Sequence, residues 1–237
     1  MNVVLVRVGI DTGCGGIHSP LFPSGEFEFV PIPDSHGLDE RKYGNATGRA
    51  GRTFVEYFPE RRRIELRDQS MHVDPEFETF TYGDPTPPKR NLSQLKPGDL
   101  LVFYSGMEGW GHTAPPALYL TGFFRVKLAG FAAAFSADQI AGEFSGNFHV
   151  RHKNLFREQR ERLVLVKGDK KSRLFRKAIK LGETVRRENG SAWQLISPQM
   201  EKVFGKFGGI GSLQRSTPRW VEDRLTDTAA RFIESLE

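Results

Sequence analysis

The sequence contains one cysteine, Cys14, in 237 residues. A lone thiol cannot close an internal disulfide, which points to a reducing compartment, the cytoplasm. It also excludes zinc ribbons and CxxC redox sites. No stretch approaches the roughly 18 consecutive apolar residues of a membrane span, so no membrane partner is expected. The N-terminal apolar run is broken at Arg7 and has no basic leader, and it reads as a first strand rather than a signal peptide. Internal repeats, low-complexity tracts and a dividing linker are missing too, which favours one domain over residues 1–237.

An acidic balance is also lacking. The net charge is +5 and the pI about 9.4, with a mean hydropathy of −0.44. Arg151 to Arg187 holds 14 Lys/Arg against 4 Asp/Glu, a local +10 that leaves −5 on the remainder. A basic segment on an acidic body suits a surface facing DNA or RNA, although a solvated charged face gives the same count. Lys170, Lys171, Arg173, Arg176 and Lys177 are its candidate phosphate contacts.

What the chain has is a glycine-rich loop without the helix that such loops usually open. In "VRVGIDTGCGGIHSPLFPSG" a strand leads to Asp11, Gly13, Gly15 and Gly16, but no Walker lysine follows and Pro20 and Pro23 block a helix. The glycines can adopt positive φ and present backbone N–H groups to an anion, with Arg7 and Asp11 beside them. A tight turn closed by Asp11 explains the same residues. His18 next to Cys14 suggests a thiol nucleophile, but neighbours in a loop seldom have the required geometry.

Apolar patterning predicts strands at Val3–Val8, Glu26–Val30, Leu100–Tyr104, "ALYLTGFFRVK" and "RLVLVKG". The last two long runs before residue 130 pair as a hairpin. Arg173 to Leu181 is either a basic helix or extended. Helices are expected from a capping box at Ser136, from Ser197-Pro198, and from Thr217-Pro218 onward to about residue 236. The fold class is therefore α+β, a bent mixed sheet or a PUA-like barrel with inserted helices and a C-terminal helix.

The segments "RVGIDTGCGGIHSPLFPSGEFEFVPIPD", "HVDPEF", "LKPGDLLVFYSG", "ALYLTGFFRV", "HVRHKN" and "LVLVKGDKKSRLFRKAIKL" occur in the order seen in the nucleotide modification associated domain 3 family, which the chain resembles from Met1 to about Leu181. Arg7, Gly9, Asp11, Gly15, Gly16, Ser19 and Pro20 fall on the positions of that family's opening motif. Cys14 falls at a variable position, and Val8 stands where a basic residue is usual. One hairpin, "GDLLVFYSG…ALYLTGFFRV", also looks like the strand pair of PUA-like barrels of the EVE and ASCH type, in which Tyr104, Ser105 and Trp110 would line a pocket.

The resemblance implies a protein of nucleic-acid base modification that holds a nucleotide or modified base in a polar pocket. Arg7, Asp11, Gly15, Gly16, Ser19, Asp99, Tyr104 and the His149–Asn154 segment would build it. In an enzyme, Asp11 or His152 would be the general acid or base. In a reader of modified bases the same groups would only hydrogen-bond, and a basic adaptor subunit would have no pocket chemistry. His72 and Asp74 with His149 and His152 have metal-ligating side chains, but their chain order gives no compact motif, and polar residues that cap turns or read a ligand are the preferred reading. No metal or cofactor is assigned. The expected partners are DNA, RNA or a free nucleotide, and other proteins of a modification system.

Overall fold

The computed structural model describes residues 1–186, 192–207, 213 and 217–237. Its strands are β1 (Val3–Arg7), β2 (Ser19–Leu21), β3 (Ile32–Pro33), β4 (Met71–His72), β5 (Thr81–Asp84), β6 (Leu100–Gly109), β7 (Ala117–Phe131), β8 (Val164–Gly168), β9 (Arg173–Arg186), β10 (Ala192–Ile196) and β11 (Arg219–Trp220). The helices are α1 (Glu60–Leu66), α2 (Ala137–Phe144), α3 (Phe148–Arg151), α4 (Lys153–Gln159), α5 (Pro198–Phe204) and α6 (Thr226–Ser235).

Val3, Val4, Leu5 and Val6 have no solvent exposure, and their strand is paired on both edges. Continuous apolar character is what a strand buried on both faces requires. β1 runs parallel to β6 and antiparallel to β11. The main sheet runs in the order β10-β9-β7-β6-β1-β11, with β2 beside β6 and β8 linking β7 to β5. Its ends do not meet among the described residues. The architecture is α+β, with an open mixed sheet rather than a closed barrel.

β7 bends this sheet. Its first half lies between β6 and β9, and Val126 to Phe131 pair instead with β8. Register shifts at Phe103/Tyr104, Leu120/Gly122 and Val126/Leu128 mark the bulges that let one long strand serve two partners. The turn before β6 is closed by Asp99, whose carboxylate accepts from Asn2 N at 2.7 Å and Lys96 N at 2.9 Å. Ser136 accepts from Gln139 N, and Gln139 answers at Ser136 N, so α2 opens on the expected capping box.

One open alternative resolves and two local expectations change. Arg173 onward is strand, because β9 completes the pairing of β7. The last helix starts at Thr226, not near Thr217, because Arg219 and Trp220 pair with Leu5 and Val4. An unpaired edge of β1 takes those backbone groups before a helix can. Glu26 to Val30 makes only isolated bridges, and Glu28 turns inward at 2% exposure to accept from Ala50 N. That inward carboxylate breaks the alternation of a half-buried strand.

Candidate functional site

A cavity of about 560 Å³ opens where three distant parts of the chain converge. Arg7 to Gly9 at the end of β1 form one side. His72 and Asp74, at and just beyond β4, form the inner wall with β5. Phe148, His149 and Gln159 of α3 and α4 complete it. The size is in the range of small-molecule sites.

Local chemistry places each inner side chain. Asn147 caps α3 by accepting from His149 N at 3.1 Å. The His149 ring then points back toward β5, where its Nδ1 lies 2.7 Å from Gln159 Oε1. An amide oxygen only accepts, so Nδ1 carries the proton and Nε2 presents a lone pair. That Nε2 lies 3.6 Å from Asp74 Oδ2, and His72 Nε2 lies 4.0 Å from the same oxygen. Neither Nε2 has a hydrogen-bond partner among the described residues. The His72 ring is stacked on Phe148 at 3.9 Å and meets the His149 ring edge-on at 4.9 Å.

Asp74 precedes a cis peptide to Pro75, and its carboxylate accepts from Gly83 N at 2.9 Å. Gly83 permits that approach. A Cβ there would come within 3.0 Å of His149 Cδ2 and 2.9 Å of Asn147 Oδ1, so any side chain would push β5 away from α3.

Burial governs the titration of this cluster. It pushes Asp74 well above the usual carboxylate range, with the charges of Asp84 and Glu76 adding to the effect against the Gly83 N–H. It pushes His72 well below the imidazole range, helped by His149, His36 and His152. It lowers His149 as well, against the hydrogen bond with Gln159. Two neutral imidazoles and one carboxyl group thus converge on one point. That set can relay a proton or ligate a metal ion.

The residues expected from sequence divide between this cavity and other duties. Arg7 lines the cavity and pairs with Asp11 at 3.3 Å. Asp11 itself sits outside the lining. Its Oδ1 accepts from Gly13 N at 2.9 Å, and its backbone carbonyl accepts from the N–H groups of Cys14 and Gly16. The N–H groups of Gly13, Cys14 and Gly16 are therefore turned onto Asp11, as in the tight-turn alternative. Gly15 and Gly16 hold φ of 105° and 84°, which the fold of the loop requires. The Gly15 carbonyl accepts from Arg62, which ties the loop to α1.

Ser19 is fully buried in β2, and Tyr104 is fully buried in the core of the sheet. Ser105 donates to the Val8 carbonyl, and Trp110 packs edge-on against Tyr57. Asp99 closes its turn. His152 lies 3.9 Å from Asp39, whose carboxylate also receives Arg41 and Arg151, and Asn154 is exposed on α4. Of the expected His149–Asn154 segment, only His149 faces the cavity.

Lys170 and Lys171 are exposed at the turn between β8 and β9. Arg173 donates to the Glu234 carbonyl and lies over the Phe123 ring, and Arg176 pairs with Glu26. Lys177 is exposed, and its backbone makes an isolated antiparallel β-bridge with Glu26. Arg187, where the basic stretch ends, lies outside the described residues.

The chain matches the family model described as nucleotide modification associated domain 3 over residues 2–235. It belongs to that family. The match reaches past Leu181 to the C-terminal helix, so β10, β11 and α6 are part of the nucleotide modification associated domain as much as the loop is. No curated protein and no solved structure matches the chain. The family's name ties the domain to nucleotide modification without naming a reaction. No helix among the described residues is long and apolar enough to cross a membrane.

Sequence reasoning grouped His72, Asp74 and His149 with His152 as side chains able to ligate a metal without assigning one, and it missed Gln159 and Gly83. The usable signal was the H-x-D spacing in "MHVDP", which puts two ligating groups on one short segment.

Proposed function

We propose that this domain binds a nucleotide or a base of nucleic acid in the cavity, as part of a base-modification system. The observation that carries the reading is the composition of the cavity wall. Arg7 and Lys89 bring positive charge to one side, while Tyr82, Phe148 and the His72 ring bring flat surfaces. Bases stack on such rings, and their polar edges need the hydrogen-bonding groups that His149, Asp74 and Gln159 supply.

In this reading Arg7 meets phosphate while Asp11, held by the turn of the glycine loop, orients its guanidinium. Acid–base work, expected at Asp11 or His152, passes to the Asp74–His149 pair inside the cavity. Lys170, Lys171, Arg173, Arg176 and Lys177 guide nucleic acid electrostatically, and the whole chain works in the cytoplasm as one domain. A reader of modified bases would use the same wall without proton transfer.

Calorimetric titration with nucleosides, nucleoside monophosphates and short single-stranded DNA and RNA tests the proposal. Binding is expected to strengthen from nucleoside to nucleotide. Arg7→Met is expected to erase most of that difference and to leave nucleoside binding in place. Absence of saturable binding by every ligand at millimolar concentration rejects it.

A further inference from the structure

We propose that His72, Asp74 and His149 bind a divalent first-row transition metal ion at the inner wall of the cavity. The ligand atoms of the three residues lie within 4.8 Å of one another. Metal bonds of about 2.0–2.2 Å place tetrahedral ligand pairs about 3.3–3.6 Å apart. The 3.6 Å and 4.0 Å separations from Asp74 Oδ2 need only small side-chain rotations to close on an ion.

The stronger argument is the arrangement of lone pairs. The His149 side chain is only 4% exposed and Asp74 only 5%. With Nδ1 donating to Gln159, the His149 Nε2 lone pair faces a carboxylate oxygen, and so does His72 Nε2 from the other side. The Nε2 atoms of both histidines are buried without a hydrogen-bond partner among the described residues and flank one Asp74 oxygen, an arrangement that is unfavourable in a buried setting unless a cation joins them. Gln159 and Gly83 provide outer support. One fixes the tautomer and direction of His149, and the other holds the Asp74 carboxylate, as partners of metal ligands commonly do.

The chemistry of the set selects the ion. Two imidazoles with one carboxylate favour zinc, iron, cobalt, nickel or manganese over calcium or magnesium, which prefer oxygen ligands throughout. Three protein ligands leave coordination positions open, and the cavity is where the wall gives way. The site deepens the nucleotide-binding proposal, resting on it only for what would occupy those positions. With an ion bound, Asp74 and His149 serve as ligands, so the proton transfer assigned to that pair belongs to the metal-free protein. Metal binding itself is measured without nucleotide.

The test is a titration of the chelator-stripped, full-length protein with Co²⁺ and then Zn²⁺, by calorimetry and by the visible absorption of bound Co²⁺. About one ion per chain is expected, with Zn²⁺ displacing Co²⁺. Asp74→Asn and His149→Gln are expected to weaken binding by about 100-fold or more, and Gln159→Ala by about 10–100-fold. His36→Gln and His152→Gln are expected to bind like the parent. Should a ligand variant fail to fold, the parent still decides. Co²⁺ must shift the ring-proton resonances of His72 and His149 while leaving His18 and His112 in place. No saturable Co²⁺ binding, shifts confined to other histidines, or undiminished binding in folded Asp74→Asn overturns the site. Metal binding without any nucleotide binding leaves the metal site standing and rejects the cavity's proposed occupant.

Discussion

Placing a methyl group on Gly15 asks what the glycine-rich loop is for. Gly15 holds φ of 105°, and a Cβ built there would land on Cγ1 and Cδ1 of Ile10, which has no solvent exposure. Two costs follow. An L-residue held at left-handed φ loses about 1–2 kcal/mol, and forcing a methyl into a packed neighbour costs about 1–3 kcal/mol. Gly15→Ala is therefore expected to destabilise the fold by about 2–5 kcal/mol. Gly51 separates the two contributions, because it has φ of 74° with nothing near its missing Cβ. Gly51→Ala should cost only about 1 kcal/mol. Urea unfolding with matched m-values gives both numbers. Ile10→Ala removes the atoms in the way, so combining it with Gly15→Ala should cost about 1–3 kcal/mol less than the two changes summed. The reasoning is refuted if Gly15→Ala behaves like Gly51→Ala, or if its effect adds fully to that of Ile10→Ala.

Changing Lys170, Lys171 and Lys177 together to Ser is expected to weaken nucleic-acid binding and flatten its dependence on log salt, by about one in slope for each phosphate no longer neutralised. An unchanged slope in a fluorescence-anisotropy salt series would remove the basic strand from the interface. Asp39→Asn should cost about 1.5–3 kcal/mol, because the carboxylate is 1% exposed and receives Arg41 and Arg151. Burial raises the Asp39 pKa, but hydrogen bonds from the Arg41 side chain and backbone outweigh it and hold it below the usual range. Its contribution is therefore complete above about pH 3.8 and is lost as the pH falls through the lower folded value, so the acid limb of the Asp39→Asn stability curve should be flatter. Cys14→Ser is expected to retain nucleotide and Co²⁺ binding and the parental melting temperature. Loss of binding in that variant, with the fold intact, would return the thiol to the site.

Elements whose signals are local could be read from sequence. Pro97-Gly98-Asp99 and the apolar runs after it mark the β6–β7 hairpin, and Ser136 and Ser197 mark helix starts through bonds within a single turn. Where a distant partner decides, the reading fails. Trp220 carries a helical pattern, yet the open edge of β1 draws it into a strand. Glu28 occupies a nominally outward position, yet Tyr57 and Ala50 lie inward to receive it. The site fails in the same manner. Asp11 and Asp99 are charged residues in glycine-containing turns, and residue type cannot reveal that backbone N–H groups already occupy their oxygens. His72 and His149 meet only because α3 lies across β5, and no spacing in the chain encodes that contact.

The antiparallel seating of Arg219 and Trp220 on β1 has a consequence for the birth of the protein. As the chain leaves the ribosome, β1 emerges ahead of its partners and can pair with β6 about 100 residues later. Its other edge stays bare until the final few residues before α6 arrive. At roughly 5–20 residues per second, that wait is on the order of ten seconds. During it the nascent chain displays a strand that is apolar from Val3 to Val6, with unpaired N–H and C=O groups, the kind of edge that recruits neighbouring chains. Chains truncated before Arg219 keep that edge permanently. Their expected fate is pairing with one another, and the segment from Arg219 onward acts as the seal that keeps each copy to itself.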